Sequence, residues 1–256
     1  MSCMRKYFIV RWVAPLLLLM VSGAVRASDT LPLASGDWPP YTQNVSGDHG
    51  LATEIVSAVA AEMGMQAHIQ WLPWKRNEVL LRQGRVFAAF PYRKTVDRHR
   101  EFAFSDPLIF TSTRLFYNAE STAPVPFETF ADLRNVLIGG VRGYSYVKEF
   151  ESVGVNLTVV NSDAQLVKML ASQRVDFAAM DTLGGRLLLT DMLGERQASY
   201  QMLPKPLYSK SASRLMVSRQ YPGYQRLLKD FNRALARIKQ QGIYQKILQK
   251  YQFVEE

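Results

Sequence analysis

Thiol chemistry is almost missing from this chain. Its 256 residues hold one cysteine, Cys3, and three histidines, His49, His68 and His99. No two histidines stand at metal-ligand spacing, so neither a zinc site nor a disulfide framework is written into the sequence. Gly-x-Ser-x-Gly elbows, phosphate loops and dinucleotide fingerprints are also lacking, and no nucleophile with a neighbouring base can be named. No cofactor is expected, and no catalytic residue is assigned. Dense basic runs with interleaved aromatics are absent as well, which argues against nucleic acid as a partner.

The one long apolar run is short for a membrane span. Trp12 to Val21 follows Arg5, Lys6 and Arg11 and is followed by Arg26; this is the layout of an export signal. Val25-Arg26-Ala27 places small residues before a cut at Ser28, so residues 1–27 read as a signal peptide and the mature protein as periplasmic. An uncleaved anchor is the alternative. Cutting there removes four positive charges and no negative one, so the formal charge falls from +9 to +5. That excess favours anionic ligands through long-range attraction.

What is present is a series of strand-like and helix-like segments with polar residues at the strand exits. Thr30–Ser35 reads as a first strand leaving through Gly36-Asp37-Trp38-Pro39-Pro40-Tyr41, a loop stiffened by two prolines. Such a loop is a mount for Trp38 or Tyr41 as a ligand-facing ring, and Trp38 equally suits a cap on the core. Leu72-Pro73-Trp74 puts a second aromatic at the exit of a second strand, 66–71. Val86 to Phe90 is a short apolar strand, and the polar run from Pro91 follows it. Within that run Thr95 and Arg98 lie three apart, on one face of a turn. Arg98 offers a planar fork suited to a carboxylate, though spacing alone equally fits a solvated arginine beside Arg93, Lys94 and Arg100.

A second series starts after the linker-like Asn118–Pro126. Val136 to Val141 reads as a strand, Arg142-Gly143-Tyr144-Ser145 as the turn into a helix, and Ser145 as an anion-receptive or merely capping residue. The helix end and strand at Leu80–Ala89 are paralleled at Leu170–Ala179, a partial repeat with one copy per half. Asp181 follows the second copy as Pro91 and Tyr92 follow the first, in a position that also suits a helix N-cap. The chain ends on a strand near Ser211–Val217 and two amphipathic helices, 224–239 and 243–253.

Thr95-x-x-Arg98 followed by Ala103-Phe104-Ser105-Asp106-Pro107 resembles the ligand-binding segment of the periplasmic solute-binding proteins of family 3. The likeness continues through Gly36–Tyr41, Gly50-Leu51-x-x-Glu54, Gln83-Gly84-Arg85, Arg174-Val175-Asp176 and the ending from Leu235 to Tyr251. It implies an α/β fold of two Rossmann-like lobes joined by a two-crossing hinge, the type II periplasmic binding protein fold. Lobe 1 is then expected over 28–117 plus 212–256 and lobe 2 over 118–211, with crossings near Tyr117–Ala119 and Lys210–Ser213.

The resemblance further implies capture of an amino acid or related organic anion for an ABC permease, by a monomer. Arg98 and Thr95 would take its carboxylate, Asp181 its ammonium, and Trp38 its side chain; Trp74 and Ser145 would complete the wall. Pro91 and Arg93 depart from the family pattern, which has small hydroxyl residues there, and point to an extra carboxylate or a different anion. The same resemblance leaves two alternatives: a sensor module for a membrane protein, and a dehydratase of the cyclohexadienyl type. Arg98→Ala is expected to abolish binding and leave the fold intact.

Overall fold

The computed structural model describes residues 29–45 and 47–253; the leader read at 1–27, Cys3 included, lies outside them. Three strands form the first parallel group: β1 (Asp29–Ser35), β2 (Met65–Trp71) and β3 (Ala88–Arg93), with β1 between the other two. A second parallel group repeats the plan with β6 (Leu137–Val141) between β7 (Asn156–Val160) and β8 (Phe177–Asp181). Two long strands, β5 (Ile109–Asn118) and β10 (Tyr208–Ser218), run antiparallel to each other and join the groups in the order β2-β1-β3-β10-β5-β8-β6-β7. Short strands β4 (Phe102–Phe104) and β9 (Tyr200–Met202) pair with β10 and β5.

Helices accompany this sheet, some of them where the apolar periodicity places them. They are α1 (Leu51–Glu62), α2 (Trp74–Arg82), α3 (Val96–Glu101), α4 (Ser145–Ser152), α5 (Asp163–Ala171), α6 (Thr182–Leu193), α7 (Tyr224–Gln240) and α8 (Ile243–Lys250). In α7, Phe231, Ala234, Leu235 and Ile238 are buried at helical spacing, so the long helix lays one apolar stripe on the sheet. The expected repeat is real in three dimensions: α2 leads into β3 and α5 into β8, each strand running from fully buried alanines toward a polar end.

The buried residues sort into four clusters. Two draw on positions up to Ile109 and from Leu215 onward. The other two draw on Leu115 to Leu207. Leu115, Phe116 and Tyr117 therefore pack with the residues of the second half. The reason is pairing: Thr113 to Phe116 lie opposite Asp181 to Ala178 of β8.

Two expectations shift. Trp74 is the first residue of α2 and not part of the exit loop. And β3 continues past Phe90 to Arg93, because β10 supplies Arg214 and Ser213 opposite Tyr92 and Arg93. Phe90 and Pro91 together oppose Leu215 at an irregularity in the register. A bulge leaves a residue outside the ladder, which is where a proline without an N–H can sit in a strand.

Candidate functional site

The exits of β1, β3, β6 and β8 converge on one cavity, which encloses about 610 Å³ counting its open mouth. Trp38, Trp74, Arg93, Arg98, Ser145 and Asp181 all line it. Thr95 does not. It caps α3 by accepting the Arg98 backbone N–H at 3.2 Å, and it lines an adjoining cleft with Lys75 and Lys148. Its hydroxyl is spent on starting the short helix that carries Arg98.

Arg98 is held on several sides. One terminal nitrogen donates to Glu78 Oε1 at 3.1 Å and to the Gly143 carbonyl at 2.7 Å, and the other to the Arg93 carbonyl at 3.3 Å. Its guanidinium carbon lies 4.8 Å from the centre of the Tyr92 ring. The side chains of Arg98 and Glu78 are 13% and 6% exposed, so this pair is desolvated and costly to break. The other Glu78 oxygen is 3.3 Å from Lys75 and 3.7 Å from Arg82. Gly143 belongs to the second half, so its carbonyl on Arg98 is a contact across the cavity.

Arg93 also reaches across. It donates to Ser145 Oγ at 3.4 Å and to Glu149 Oε1 at 3.2 Å, and its guanidinium carbon sits 3.4 Å from the centre of the Tyr208 ring. Burial raises the Tyr208 phenol well above its ordinary range; Arg93 opposes this and Glu149 adds to it. Outside these, Lys148 and Asp97 meet at 3.3 Å.

Asp181 ends β8 and caps α6, accepting the Gly184 N–H at 2.7 Å. The same oxygen accepts the Tyr41 hydroxyl at 2.8 Å from the other half. Tyr41 stands at the far side of the double proline, its ring 4.3 Å from that of Trp38. Trp74 packs edge-on against Tyr92 at 5.5 Å and against Tyr144 at 6.2 Å. Tyr144 donates in turn to Asp163 at 2.5 Å. Burial lifts the Asp163 carboxyl to about 6, against the pull of the Tyr144 hydroxyl.

Sequence reasoning missed Glu78, Glu149, Tyr144 and Tyr208, and it named Tyr41 only as an alternative to Trp38 for a ligand-facing ring. Glu78 had one available signal, since it falls one helical turn after Trp74 and shares its face. Glu149 stands in the same relation to Ser145. Tyr208 had none, because its place depends on how β10 meets β5. Among the described residues, no group of three His, Cys, Asp or Glu is placed to hold a metal ion. Nor is any helix long and apolar enough to cross a membrane.

Two α/β halves joined by a pair of antiparallel strands, with a polar and aromatic cavity between them, define a bilobed binding protein of the type II periplasmic class. Solved structures agree with that fold. A histidine kinase sensor domain similar to periplasmic binding proteins superposes with a TM-score of 0.74 at 22% identity, covering 88% of this chain and 97% of that one. An ancestral arginine-binding protein bound to arginine gives 0.72 at 18%, covering 86% and 96%. An ancestral amino-acid-binding protein described as a precursor of cyclohexadienyl dehydratase gives 0.70 at 16%, covering 86% and 94%. A search of curated protein sequences finds no match. The family model of the bacterial extracellular solute-binding proteins, family 3, matches residues 33–255, and the chain belongs to that family.

Proposed function

We propose that this solute-binding protein captures an amino acid or a closely related small carboxylate between its two lobes, outside the cytoplasmic membrane, and presents it to an ABC importer. The observation that carries the reading is a cavity to which both halves contribute, with Arg98 and Trp74 from one side and Ser145 and Asp181 from the other. The ligand carboxylate takes the position of the Gly143 carbonyl on the Arg98 fork, and the ammonium meets Asp181. Trp38 and Trp74 are the apolar walls. Two charge-assisted contacts at roughly 1.5–3 kcal/mol each, with stacking, support affinity in the micromolar range, about −8 kcal/mol.

In this reading lobe 1 comprises the residues up to about Thr111 together with those after Ser213, and lobe 2 the segment between. The protein acts by binding, without turnover, as a periplasmic monomer. A thermal-shift screen of the purified protein against amino acids, dicarboxylates and small aromatic acids tests it. Amino-acid hits that disappear in Asp181→Asn support capture of an amino acid; a response only to acids without an amine keeps the carboxylate on Arg98 and removes the ammonium role of Asp181; no response to any of them removes the reading. The sensor alternative has one observation in its favour, the likeness to a histidine kinase sensor domain over 97% of that domain. Neighbouring genes for a permease and ATPase, or for a membrane signalling protein, separate the two.

A further inference from the structure

Both arginines on the cavity wall already carry a carboxylate of the protein, but on very different terms. Glu78 and Arg98 belong to the same half and are 6% and 13% exposed. Glu149 and Arg93 belong to opposite halves and are 41% and 31% exposed. The first pair is a fixed part of the wall. The second is partly solvated, worth little in itself, and joins one half to the other.

We propose that Glu149 sets the charge class of the ligand: it supplies from within the protein the carboxylate that Arg93 would otherwise take from the ligand, so the site selects against ligands with a second carboxylate. This rests on the reading of the cavity as a carboxylate-binding cleft. Ser145 and Glu149 are one turn apart on α4 and bond the same Arg93 nitrogen, so the helix presents both to the guanidinium together. Tyr208 covers the guanidinium face. A second ligand carboxylate brought to Arg93 must displace Glu149 or sit beside it, and like charges at that distance repel. Two other cations on the same cleft are committed, Lys148 to Asp97 at 3.3 Å and Arg98 to Glu78 at 3.1 Å. Arg93, which from sequence alone points to an extra carboxylate or a different anion, is thereby closed to the extra carboxylate.

The test compares wild type, Glu149→Gln and the double variant Glu149→Gln/Arg93→Gln with glutarate and L-glutamate as probes, by calorimetry and by melting shift. Releasing a guanidinium for a charge-assisted contact is expected to lower Kd for both probes about ten-fold or more in Glu149→Gln. The gain is expected to vanish in the double variant. Equal dicarboxylate affinity in wild type and Glu149→Gln overturns the proposal, as does a gain that persists without Arg93; Glu149→Ala is the second variant should the glutamine fail to fold. L-Glutamine and L-alanine titrated into wild type form a separate arm. Their failure to bind counts against amino-acid capture and leaves the glutarate comparison to decide the role of Glu149.

Discussion

Arg98 shows how a residue can be legible in type and hidden in circumstance. Thr-x-x-Arg announced a carboxylate fork, but the buried Glu78 beside it left no mark, because a single glutamate in a helix looks like surface. The consequence changes the expected outcome of the obvious substitution. Arg98→Ala not only removes the ligand contact but strips Glu78 Oε1 of its partner, and Lys75 and Arg82 still reach the other oxygen. We expect a stability loss of about 1–3 kcal/mol in urea unfolding, together with loss of binding. Arg98→Lys keeps the charge for Glu78 and loses the planar fork; it should unfold near wild type and bind about ten-fold or more weakly. Asp163 offers a pH test. Its folded-state value, about 6, lies above the ordinary 3.8, so the folded form holds its proton while the unfolded chain has lost it. Its contribution to stability is therefore present below about pH 4 and lost as the pH rises toward 6, by up to about 3 kcal/mol. The difference between wild type and Asp163→Asn in unfolding free energy, measured from pH 4 to 7, should follow that slope and flatten above 6.

At the level of elements, periodicity found α1, α7 and β2, which bury one face, while β3 and β8 were legible as short apolar runs in a repeat and are buried on both faces. What sequence could not show is set by a partner strand. The extension of β3 to Arg93 exists because β10 lies opposite, and the packing of Leu115 to Tyr117 with the second half follows from their pairing with β8 and β9. The turn into α4 carries a constraint of the same kind. Gly143 has φ +93°, and a Cβ there would come within 2.9 Å of the Trp74 Cβ from the other half. Gly143→Ala combines backbone strain with a clash that appears only when the halves approach, each of order 1–3 kcal/mol. It is expected to raise the ligand Kd about ten-fold or more while leaving the far-ultraviolet circular dichroism unchanged.

For the molecule as a whole, polar contacts between the halves include Arg98 to Gly143, Arg93 to Ser145 and Glu149, Tyr41 to Asp181 and Lys148 to Asp97, beside the edge-on packing of Trp74 on Tyr144. Interfaces of that sort open, and the two strands that join the halves provide the hinge. Small-angle scattering should show the radius of gyration falling when a ligand is added. Tyr41→Phe removes one of these contacts and leaves the Asp181 cap on Gly184 in place, so it should weaken binding by about 1 kcal/mol, or several-fold, without lowering the melting temperature of the ligand-free protein by more than a few degrees.

The position of β10 in the sheet has a further consequence, in the order of assembly. The chain is delivered from its N-terminus, and β3 finds only β1 beside it until β10 arrives, after the entire second group of strands has passed. The second half, whose strands and helices are contiguous, can complete itself first. The half that begins the chain is the last to be finished, and until Arg214 meets Tyr92 its strand edge stands open to any chaperone or neighbouring chain that reaches it first.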